Sequence, residues 1–118
     1  MIKFLLAPDL LLEALQNPET VAAQFIQKCS SDTDIQAWIL AHTVQICASQ
    51  GFSPKTIAQW INGLSQIPNN ARLNELALAS RAGFETGLQV AAAKIFKIPF
   101  VVTAQSVENQ EGVSFISC

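Results

Sequence analysis

A chain of 118 residues with a formal net charge of -2 holds one hydrophobic core and is short for two. Half of its residues are hydrophobic and only 14% are charged, a low charged share that leaves apolar surface for an interface. The seven Lys and Arg are scattered, which weakens any expectation of tight RNA or DNA binding without excluding a local basic face.

In chain order, the apolar run over 2–6 predicts a buried strand covered on both faces. Asp9, after Pro8, is placed to cap a helix over 10–16. Asn17, Pro18 and Glu19 then read as cap, first turn and dipole partner of a second helix with Val21, Phe25, Ile26 and Cys29 on its apolar face. A polar loop over 30–34 precedes a short strand over 35–40 centred on Trp38, and 41–50 reads as a helix closed by Gly51. Ser53 and Pro54 open another helix, with Ile57, Trp60, Ile61 and Leu64 on one side.

Ile67 and Pro68 form a minimal extended link, 71–82 is helical, and Gly83 interrupts before a helix over 84–96. Its apolar positions are Phe84, Leu88, Ala91, Ala92, Ile95 and Phe96. The β-branched run over 98–103 marks a central strand, 105–112 a polar loop, and 113–117 a short edge strand. Strands separated by helical stretches pair in parallel through crossover helices, so the expected class is α/β.

No segment reaches the ~18 apolar residues of a membrane span, and MIKFLLAPD is broken too early to serve as a signal peptide. Cys29, Cys47 and Cys118 lack CxxC spacing; Cys29 and Cys47 fall in apolar helical patterns and read as buried thiols, which suits a reducing cytoplasm. Phosphate-loop, dinucleotide, GxSxG and HExxH motifs are all missing. His42, the single histidine, reads as a capping or packing residue, and its five-residue separation from Cys47 puts the two on different helix faces. Gly83 and Gly87 form a GxxxG that reads as close packing against the sheet in preference to phosphate contact.

FLLAPDLLLEAL, starting at Phe4, resembles the opening of PIN domains, a family of metal-dependent ribonucleases that includes toxins of toxin–antitoxin pairs. Such domains usually read apolar strand, Asp-Thr-Asn, apolar helix. GFETGLQVAAAKIFKIPFVVTAQSVEN, from Gly83, resembles the family's C-terminal block, and ILAHTVQI, from Ile39, its middle block. The likeness spans nearly the whole chain in the right order. It implies a single three-layer α/β/α PIN-like domain over 1–118, with a mainly parallel sheet of four or five strands.

The family's chemistry gathers three or four carboxylates at the carboxyl ends of parallel strands, where hard divalent ions activate water. This sequence departs at those places. Ala7 stands for the first Asp, Gln45 for the helical Glu, Thr86 and Gly83 for acids of the alanine-rich helix, and Gln105 for the acid or amide after the late strand. Asp9, Glu85 and Glu108 remain.

The expectation is therefore a vestigial cleft of Ala7, Asp9, Gln45, Gly83, Thr86, Thr103 and Gln105. It carries no metal, cofactor or catalytic residue. Without a metal a crowd of carboxylates would repel itself, and neutral replacements relieve that together. The expected protein is a cytoplasmic pseudoenzyme acting as a binding or assembly module, as a homo-oligomer or with a protein partner and with no membrane role. Trp38 and Trp60 are candidates for exposed aromatic contacts, or else fill the core. Alternatives are a weak single-stranded RNA binder and a residual metal-dependent ribonuclease using Asp9, Glu85 or Glu108.

Overall fold

The structure is a computed structural model and describes residues 2–80, 83–104 and 113–117. Five strands, β1 (Ile2–Leu6), β2 (Ile35–Leu40), β3 (Ser65–Ile67), β4 (Phe100–Thr103) and β5 (Ser114–Ser117), form one sheet in the order β3-β2-β1-β4-β5. Every pairing in it is parallel, with Leu5 opposite Trp38 on one side and Val101 on the other. The helices between them are α1 (Pro8–Gln16), α2 (Val21–Ser31), α3 (Ala41–Ser49), α4 (Pro54–Ile61), α5 (Ala71–Leu78) and α6 (Phe84–Ile95).

Alternation along the strands divides the core into the two faces of an α/β/α sandwich. Leu5, Leu40 and Val101 pack with Leu73, Ala77, Leu88 and Ala92 from α5 and α6. Their chain neighbours Leu6, Ile39 and Val102 pack with Leu10, Leu11, Ile26 and Ile57 from α1, α2 and α4. The three-layer, five-stranded parallel arrangement is the one expected, with β5 at the edge. Among the described residues, no helix is long and apolar enough to cross a membrane.

Several local expectations are corrected. The N-cap of α1 is Ala7, without a side-chain cap bond, because Pro8 takes the first helical position and Asp9 falls inside the first turn. Thr20, not Asn17, caps α2, its hydroxyl accepting from the Ala23 amide. Asn17 instead closes α1 and turns the chain, its side-chain oxygen accepting from the Glu19 amide. With α2 starting three residues later than the pattern suggested, its buried face is Ala22, Ala23, Ile26 and Cys29, and Val21 is 65% exposed. Ser53 caps α4 as expected, accepting from the Thr56 amide.

Neither tryptophan is an open aromatic. Trp38 packs against the first core cluster with its ring centroid 6.0 Å from that of Phe96, and Trp60 is half-buried against the second. Gly87 lets α6 approach α5 and not the sheet: a Cβ there would lie 2.5 Å from the Ser80 Cβ and 2.9 Å from the Ala77 carbonyl oxygen.

Candidate functional site

In a parallel sheet all strands end on the same edge, and the chain leaves each strand there to enter the next connection. β1 ends at Leu6, the Ala7 amide donates to the Val102 carbonyl at 2.9 Å, and α1 begins at Pro8. This fastens the start of α1 beside the end of β4. A pocket of about 190 Å³ opens at this junction, lined by Ala7, Pro8 and Asp9, by Glu85, Thr86 and Gln89 of α6, and by Thr103 and Phe115.

Of the expected cleft residues, Ala7, Asp9, Thr86 and Thr103 meet here. Gln45 does not line the pocket and is exposed on α3. Thr43 and Cys47 turn into the core there, and a position two residues from either lies about 200° round the helix. Gly83 is also outside the lining and serves as N-cap of α6 with φ +93°, a backbone state that disfavours a side chain. Gln105, Glu108 and Cys118 lie outside the described residues.

Asp9 therefore lines the pocket and is not the helix cap. The Thr103 hydroxyl donates to its Oδ2 at 2.6 Å, while its Oδ1 is buried without a partner. Glu85, about 100° round the helix from Thr86, also borders the pocket and is exposed. An opening near a helix N-terminus is edged by more of the first turn than one face would supply. Gln89 was not singled out from the sequence. It is 3% exposed, and neither its amide oxygen nor its amide nitrogen has a partner. Its signal was its position three residues after Thr86, on the same face of the helix. Phe115, reaching the pocket from the edge strand, had no local signal.

Other reactive groups stand apart. Cys47 is fully buried, and desolvation pushes its thiol up from 9.0 to about 11, so it is no nucleophile at neutral pH. His42 packs edge-on to Phe84 at 5.8 Å, with its Nε2 buried and unpartnered, in keeping with a packing role.

A hard divalent ion wants several converging oxygens. Asp9 and Glu85 are the acids of the lining. One oxygen of Asp9 is taken by Thr103, and no group of three or more His, Cys, Asp or Glu side chains converges among the described residues. These residues do not fit such an ion.

The chain is similar in structure to one in a crystal structure of VapBC2 from Rickettsia felis bound to a DNA fragment from their promoter. The TM-score is 0.72 at 11% sequence identity, covering 99% of each chain. The likeness spans both chains almost completely and shows a PIN-like fold. No protein-family model and no curated protein matches this sequence.

Proposed function

We propose that residues 1–118 form one PIN-like domain that acts by binding and assembly, without cutting RNA, and that its partner is a second copy of the chain. The observation that carries this is the outer surface of α5 and α6. Leu76 and Ile95 are 41% and 44% exposed there and line a groove of about 210 Å³ between the helices. An apolar patch on a chain with so few charges is better covered than left in water. A two-fold contact covers the same patch on both copies at once. That the structural neighbour is itself part of a complex, VapBC2 on promoter DNA, agrees with a fold used for assembly.

The strand-end pocket supports the absence of cleavage. Ala7, Thr86, Gln89 and Thr103 supply neutral side chains beside Asp9 and the exposed Glu85, and among the described residues no third acid joins them to gather the charge that an in-line phosphoryl transfer needs.

Light scattering on the eluting protein tests assembly. A dimer or larger species is expected, and Leu76→Asp converts it to monomer with its melting temperature kept; a strict monomer at high concentration overturns the proposal. Incubation of single-stranded RNA with Mn²⁺ tests cleavage. The expected result is no more product than Asp9→Ala gives, whereas cutting that Asp9→Ala abolishes would restore the nuclease.

A further inference from the structure

The pocket at the ends of β1 and β4 holds two buried, unmet hydrogen-bonding demands. Gln89 presents an amide whose Oε1 and Nε2 are both unpartnered at 3% exposure. Whichever way the amide is turned, it offers a donor beside an acceptor. Asp9 adds a free, buried acceptor in Oδ1, and the Thr103 bond to Oδ2 fixes the carboxylate's position. A primary amide and a carboxylate oxygen are costly to bury unmet, so the pocket is built for something that supplies their complements.

The rest of the lining restricts what that is. Ala7 and Phe115 give apolar and aromatic wall, and Asp9 and Glu85 give negative charge with no Lys or Arg among the described lining residues. Phosphates and carboxylates are repelled by that charge. At about 190 Å³ the pocket is below the ~300 Å³ of sites for drug-sized ligands, yet a cavity of ~150 Å³ already admits a benzene ring. One small ring system fits.

We propose that this pocket binds a neutral, planar nitrogen heterocycle of the aminopyrimidine or aminopurine class. A ring N–H or amino group beside a ring acceptor pairs with the Gln89 amide, and a further N–H donates to Asp9 Oδ1. This goes beyond the assembly proposal and does not depend on it, since the pocket and the α5–α6 surface are separately lined.

The experiment is an NMR titration of the ¹⁵N-labelled full chain with cytosine and, separately, adenine, beside cytidine monophosphate, single-stranded RNA and Mg²⁺ as competing probes. Saturable shifts of the Gln89 side-chain NH₂ and of the Thr103 amide with at least one free base are expected. The monophosphate binds more weakly, and Gln89→Leu loses affinity at least about tenfold. Absence of saturable shifts with both bases overturns the proposal. So does tighter binding of RNA or Mg²⁺ at the same resonances, or unchanged affinity in Gln89→Leu. Should that variant not fold, the wild-type titration decides alone.

Discussion

Asp9 shows how far a residue's role can sit from its sequence neighbourhood. Next to Pro8 and ahead of an apolar helix it has the appearance of a cap. The proline takes the first helical position, so the carboxylate is carried inside the turn and meets Thr103, 94 residues away. Thr103 is 3% exposed. Thr103→Val keeps the shape and removes the donor to Asp9 Oδ2, leaving that oxygen unmet beside the already unpartnered Oδ1, and is expected to cost ~1–3 kcal/mol in denaturant unfolding. Adding Asp9→Ala to that variant should return part of the loss, because the orphaned carboxylate goes too. Cys47 gives a second residue-scale expectation, in pH. Its thiol ionises near 9.0 when unfolded and about 11 when folded. The folded state thus holds its proton more tightly, the contribution is complete below pH 9, and it is lost as the pH rises from 9 to 11, on the order of 2 kcal/mol. Comparing unfolding of wild type and Cys47→Ala across that window checks it: the wild type should lose more stability with pH than the variant.

At the scale of elements, the strands were the most legible part. Parallel strands buried on both faces are short apolar runs, and 2–6, 35–40 and the end of 98–103 announce themselves in this way. Helix faces were less so. The periodicity of α6 pointed to Phe84 and Ile95 as core, but these are 38% and 44% exposed, while the polar Gln89 is buried. A helix that packs on a sheet along one side and on α5 along another, with a polar pocket at its start, has no single apolar stripe to read. Gly87 belongs to this same contact. Its GxxxG spacing signalled close approach, and only the fold could say to which neighbour. Gly87→Ala drives a methyl against the Ser80 side chain and the Ala77 carbonyl, and the carbonyl cannot rotate away. The expected loss is ~1–3 kcal/mol by overpacking. Melting should show it, together with amide-exchange protection that falls in α5 and α6 before it falls in β1 and β2. Equal loss throughout the sheet would mean that the two helices do not form a separable contact.

For the whole molecule, charge and apolar surface make opposite demands on how it meets anything else. The formal net charge is -2, only 14% of residues are charged, and the surface proposed for a second copy is centred on Leu76 and Ile95. Burying such a surface is driven by removal of apolar area from water, which ordinary salt concentrations alter little. Binding to nucleic acid behaves otherwise, because each phosphate contact releases counterions and affinity falls steeply with salt. The two modes separate in one measurement. Dimer dissociation followed by analytical ultracentrifugation between 50 and 500 mM NaCl should shift the dissociation constant by less than about threefold. Over the same range an RNA complex held by even a few phosphate contacts should weaken by at least about tenfold. A dimer that falls apart with salt would place charge pairs, and not the apolar α5–α6 groove, at the interface. In that case Leu76→Asp would leave the association as it was.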